Sequence, residues 1–84
     1  MNRLGFIILS ILQDNEATGR PSGMTIQEIV SAEDFGLKEN TVFKKLQEFR
    51  QSGYVSHGMK DGRADTYFIT PEGCRCLEKE RGNL

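Results

Sequence analysis

The sequence predicts a mainly helical α+β fold in a single domain spanning residues 1–84. Its elements come in the order helix, helix, helix, strand, strand, helix. Three observations carry the prediction. Leu4, Ile7, Ile8, Ile11 and Leu12 recur at the spacing of a wide buried helical stripe. Val42, Leu46 and Phe49 repeat at i, i+4 and i+7 within an otherwise polar stretch. Beyond Gly53 the helical period gives way to two runs rich in aromatic and β-branched residues, separated by Asp61-Gly62, a strong hairpin pair.

Asn2 can cap the first helix, read as Arg3 to Gln13. Phe6 and Leu9 fall off its stripe, and a helix apolar on more than one side is a candidate for contact with a second chain. Residues 13–23 are dense in turn formers and read as a flexible surface loop, with Arg20 a less favoured phosphate contact. Thr25-Ile26-Gln27-Glu28 has the T-x-x-E form of a capping box and opens a short second helix, with Ile26, Ile29 and Val30 inward. Gly36 supplies the following turn, and Phe35 and Leu37 are expected to tuck into the core. The third helix runs from about Lys38 or Glu39 to Ser52 and stops at Gly53. The strands are read as residues 54–58 and 64–69, with Lys60 and Arg63 at the tip between them. Thr70 as cap, Pro71 at the first helical position and Glu72 at the positive end of the dipole open the last helix. It is read to Glu80 or Arg81, with Gly82-Asn83-Leu84 fraying.

Composition narrows the function. The chain is 37% hydrophobic and 27% charged, ordinary for a globular protein. No apolar run approaches the ~20 residues that span a bilayer. The run from Leu4 to Leu12 lacks a small-residue cleavage site behind it, so it reads as a core helix and not a secretion signal, and the protein as cytoplasmic. Cys74 and Cys76 point apart on a helix, which disfavours a local disulfide. With His57 the one histidine, no metal site or cofactor is expected. No nucleophile motif, phosphate-binding glycine loop or carboxylate pair suggests an enzyme.

The net charge is −1, from 11 basic and 12 acidic side chains, which is not the overall signature of a nucleic-acid binder. The distribution is uneven, however. Residues 38–63 carry Lys38, Lys44, Lys45, Arg50, Lys60 and Arg63 against Glu39, Glu48 and Asp61, while residues 1–37 are net acidic. Positive charge is concentrated on the third helix and the hairpin.

Three segments, taken together and in order, resemble the winged helix-turn-helix domain of bacterial transcriptional regulators, closest in look to the PadR and MarR types. TIQEIV, Thr25 to Val30, is similar to the short second helix of that domain. NTVFKKLQEFRQSGY, Asn40 to Tyr54, looks like a recognition helix running into the first wing strand. YFITPEG, Tyr67 to Gly73, resembles the exit from the wing into the next helix. The chain departs from the pattern in a longer turn from Ser31 to Leu37, in Glu39 at the start of the recognition helix, and in lacking long terminal helices of the dimer-arm kind.

The resemblance implies a three-helix core with a β-hairpin wing and a C-terminal helix. It implies sequence-specific binding of double-stranded DNA by a small transcriptional regulator acting as a homodimer. A helix enters the major groove with its N-terminal half toward the base edges, which here means Lys38, Glu39, Asn40, Thr41, Phe43, Lys44 and Lys45. Asn40 suits adenine, the lysines suit guanine or phosphate, and Thr41 suits a thymine methyl. Phe43 either packs on the sugar-phosphate backbone or caps the core. Lys60 and Arg63 reach phosphates or an adjacent minor groove. Each of these residues is also compatible with a solvated surface. The alternative use of the same fold is a protein-interaction or replication/assembly module that does not read DNA.

Overall fold

Three of the four helices begin where a side chain is available to satisfy their free amides. In the computed structural model, which describes residues 1–82, α1 (Arg3–Asp14) is capped by Asn2, whose Oδ1 accepts from the Gly5 amide at 2.8 Å. α2 (Ile26–Ala32) opens on the full capping box. The Glu28 amide donates to Thr25 Oγ1 at 3.1 Å and the Thr25 amide donates to Glu28 Oε1 at 2.8 Å. α3 (Glu39–Ser52) is the exception. Lys38 offers no side-chain cap, and Glu39 in the first turn meets the positive end of the helix dipole instead. It stops at Gly53, whose φ of +80° lies in the left-handed region that glycine adopts freely. α4 (Pro71–Gly82) follows Thr70, whose Oγ1 accepts from the Gly73 amide at 3.1 Å. Both α1 and α4 run slightly beyond their sequence-based ends; Asn83 and Leu84 lie outside the described residues.

β1 (Val55–His57) and β2 (Tyr67–Ile69) pair antiparallel, Val55 with Ile69, Ser56 with Phe68 and His57 with Tyr67. They are shorter than expected because regular pairing ends at Gly58, where the chain lifts off as the wing. The wing closes on itself where Asp61 pairs with Ala64 across Gly62.

The segment between α1 and α2 is not the flexible loop its composition suggests. Ala17 is fully buried and its carbonyl accepts from the Ile69 amide at 2.8 Å. The Arg20 carbonyl accepts from the Met59 amide at 2.9 Å. Met24 and Tyr67 exchange both backbone hydrogen bonds at 2.8 Å, which adds a one-residue third strand to the free edge of β2. The turn formers fold this segment against the wing, and its backbone groups find partners there.

One core gathers Ile8, Leu9, Ile11 and Leu12 from α1, Ile29 from α2, Val42, Leu46 and Phe49 from α3, and Leu77 from α4, with Val55, Tyr67 and Ile69 from the strands. Two expectations are corrected here. Leu9 is fully buried, because α1 is flanked by α2, α3, α4 and β2 and its buried arc is wider than a single stripe. Phe35 is 53% exposed, because the long turn before α3 carries it past the core and onto the outer surface of α1. Leu37 is partly buried, as expected.

Candidate nucleic-acid interface

The geometry of α3 follows from its three anchors. Val42 and Leu46 are fully buried and Phe49 nearly so, which fixes the helix about its own axis. Asn40, Thr41, Lys44 and Gln51 are left on the solvent side. Lys38 and Lys44 make no ion pair among the described residues. One turn on, the Arg50 guanidinium donates to Gln47 Oε1 at 3.1 Å, which extends the polar face toward the C-terminal half of the helix.

Lys45 does not belong to that edge. Its side chain is only 15% exposed, with Nζ 3.5 Å from Glu48 Oε1 and 5.4 Å from the centroid of the Phe49 ring. Each residue advances about 100° around a helix, so Lys45 falls on the flank beside Phe49 while Lys44 faces outward. The two adjacent lysines look alike in sequence, and only the position of the core separates them.

Phe43 is 46% exposed, so it does not cap the core. It lines a groove of about 550 Å³ between the start of α2, the start of α3 and the wing. Ile26, Ala64 and Tyr67 supply apolar lining, while Glu28, Glu39, Asp61 and Asp65 bring four carboxylates and no cation. Lys60 pairs with Asp65, and the other three carboxylates disfavour a phosphate backbone in this groove, whereas Asn40, Thr41 and Lys44 do not line it. Burial raises the Tyr67 phenol above its usual range and the nearby Asp65 charge adds to the effect; the side chain is almost fully buried in the core.

On the wing, Lys60 Nζ lies 3.7 Å from Asp65 Oδ1, with both side chains well exposed. Such a pair is weak and exchanges readily for another anion. Arg63 is exposed and makes no ion pair among the described residues. Arg20, the less favoured phosphate contact in the sequence, is exposed and tied to the wing through its carbonyl. The basic set on this side is therefore Arg20, Lys60 and Arg63. Only a pairing between distant segments brings the first of these to the other two, and no local pattern announces it.

The remaining chemistry-bearing residues serve the fold. His57 places Nδ1 3.4 Å from the Thr66 carbonyl oxygen and packs at a tilt of 41° against Tyr67, 4.9 Å between ring centroids. Cys74 and Cys76 are free thiols and both are half-buried, with Cys74 packed against the core. Among the described residues no group of three His, Cys, Asp or Glu side chains could hold a metal ion, and no helix is long and apolar enough to cross a membrane.

Helix-turn-helix, anchored third helix and β-hairpin together define the winged-helix fold. No protein-family model matches the chain. The DNA-binding protein TubR of a Clostridium botulinum C phage is 27% identical over 78 residues, covering 93% of this chain and 94% of that protein. The solution structure of a DNA-binding TubR fragment from Clostridium botulinum superposes with a TM-score of 0.74 at 28% identity, over 94% of this chain and 95% of that one. A PadR family transcription regulator from Clostridium difficile superposes at 0.76 with 20% identity, over 98% of this chain and 86% of that one. Bordetella bronchiseptica BpsR, whose DNA binding is regulated by 6-hydroxynicotinic acid, superposes at 0.76 with 16% identity over 94% of this chain. The chain spans about half of BpsR, 51% of its length. The two structures below 25% identity show the shared fold.

Proposed function

We propose that this chain binds double-stranded DNA sequence-specifically and acts as a small transcriptional regulator, with α3 in the major groove and the wing on the backbone or an adjacent minor groove. The observation that carries the reading is the free edge of α3. Asn40, Thr41 and Lys44 stand exposed on the N-terminal half of a helix that three buried side chains hold in one orientation. A DNA-binding relative matched over nearly its whole length and this chain's supports it.

In this reading Asn40 pairs with adenine, Lys44 reaches guanine or phosphate, and Thr41 touches a thymine methyl. Lys38, Lys60, Arg63 and Arg20 hold phosphates. Glu39 either accepts from a cytosine amino group or tunes the approach. Two copies bind a palindromic site, with half-sites about one helical turn apart. The protein works in the cytoplasm, and neither catalysis nor a cofactor forms part of the reading.

Mobility-shift titration against duplexes enriched from a random pool tests it. A consensus site is expected, with affinity falling steeply with salt at a log–log slope of roughly −3 to −4 per protomer for four phosphate contacts. Absent binding at low salt, or enrichment that yields no common sequence, overturns it.

One observation favours a second reading. The acidic groove beside α3 suits a protein-interaction or assembly module better than a DNA reader. Lys44→Glu separates the two. It weakens DNA binding on the order of 10- to 100-fold under the first reading and leaves the protein's function intact under the second.

A further inference from the structure

The outer face of α1 is apolar and packs against the edge of the core without being fully covered, with the Arg81 guanidinium 6.0 Å from the centroid of the Phe6 ring. Phe6 and Ile7 are half-buried, and the exposed Phe35 lies beside them. Phe6 stands between two shallow grooves of about 240 and 160 Å³. In the second groove Ser10 Oγ is out of solvent with no hydrogen-bond partner.

The charges flanking this strip are opposite at its two ends. Arg3, at the N-terminal end, makes no ion pair among the described residues. Asp14 and Glu33 lie at the other end. Asp14 has one internal partner, Arg81 at 3.6 Å, and both side chains are well exposed. Arg3 and Asp14 are about three turns apart on the same side of the helix, roughly 16 Å along its axis.

We propose that this face is the contact between two copies of the chain, with their α1 helices packed antiparallel about a two-fold axis. The proposal rests on the homodimer in the functional reading above and gives it an interface. In this register Arg3 of each copy faces Asp14 of the other and Ile7 faces Ser10, with Phe6 of each copy at the edge of the contact. Antiparallel pairing about a two-fold requires a surface that is its own complement, and a positive end, an apolar middle and a negative end meet that requirement.

Sedimentation equilibrium across a concentration series tests the proposal, with circular dichroism monitoring the fold. The wild-type chain is expected to dimerise. Arg3→Asp sets like charges against each other at two symmetric places and is expected to raise the dimer dissociation constant roughly 10-fold or more. Asp14→Arg combined with it, made with Arg81→Ala so that residue 14 meets no like charge in its own chain, restores the dimer. Ile7→Glu buries a charge twice in the interface and gives a monomer with unchanged helicity.

A wild-type monomer overturns the proposal, as does a dimer indifferent to Arg3→Asp and Ile7→Glu, or a charge swap that fails to recover. Mobility shift on the same samples keeps the two questions apart. DNA binding by a chain whose dimer ignores these changes removes only the interface. A dimer that responds to them without binding DNA removes only the functional reading.

Discussion

Helices α1 and α3 bury one face each in the same core, but their outer faces differ in kind. On α1 the outer side carries Phe6, Ile7 and an unpartnered Ser10, with Phe35 beside them. On α3 it carries Asn40, Thr41, Lys44 and Gln51, all exposed. Apolar surface is stabilised by contact with another protein surface, while a basic polar edge loses little in water and gains against a polyanion. In the proposed reading the two helices divide the labour of a dimeric DNA binder, one joining copies and the other meeting the duplex.

The inward faces should differ from the outward ones by the largest margin. Leu46→Ala leaves a cavity beneath α3 and is expected to cost about 3 kcal/mol of unfolding free energy. Phe6→Ser, on the outer side of α1, is expected to cost under about 1 kcal/mol in the isolated chain, since little of the core rests on it. Urea unfolding at low protein concentration measures both. Comparable losses would show that the outer face of α1 belongs to the core after all.

The next contrast lies within α3. Lys44→Glu is expected to weaken DNA binding on the order of 10- to 100-fold and to flatten the salt dependence by about one unit per protomer. Lys45→Glu is expected to change affinity by less than about 3-fold, because its ammonium sits against Phe49 and Glu48. Its effect should appear in stability instead, through repulsion from Glu48. Equal losses of affinity would place Lys45 back on the reading edge.

A smaller effect separates the helix starts. Thr25→Ala removes the capping box of α2 and is expected to cost about 1 kcal/mol, read as a lower urea midpoint with an unchanged slope. Lys38→Ala, at the uncapped start of α3, should leave the midpoint within about 0.5 kcal/mol and weaken DNA binding instead.

These contrasts also show which parts of the molecule could be read before folding. Local rules were sufficient for Asn2, the Thr25–Glu28 box, Gly53 and Thr70-Pro71, because each acts within four residues of itself. They sufficed too for the Val42-Leu46-Phe49 anchor, which is a matter of period. They failed where a residue's fate depends on something far away in sequence. Leu9 is buried by several elements at once, and the loop before α2 is held by β2 and the wing. Lys45 differs from Lys44 only in which side the core lies. The Arg20 backbone is tied to the wing that carries Lys60 and Arg63 by a hydrogen bond between residues far apart in sequence, and Phe35 is carried outward by a turn whose length local propensity does not fix.

Glu39 gives the finest test of the division between fold and function. Its carboxylate stands in the first turn of α3, where no side-chain cap exists and the helix dipole favours a negative charge. The same carboxylate lines the acidic groove and approaches the edge assigned to DNA. Glu39→Gln should therefore act in opposite directions on the two properties. Stability is expected to fall by roughly 0.3–1 kcal/mol, the value of one charge at a helix start, and the loss should shrink at high salt. Affinity for a duplex is expected to rise a few-fold at low salt, as a phosphate-facing anion disappears. A fall in affinity confined to sites with one particular base would mean instead that Glu39 accepts from a cytosine amino group, making it a reader and not a toll on binding.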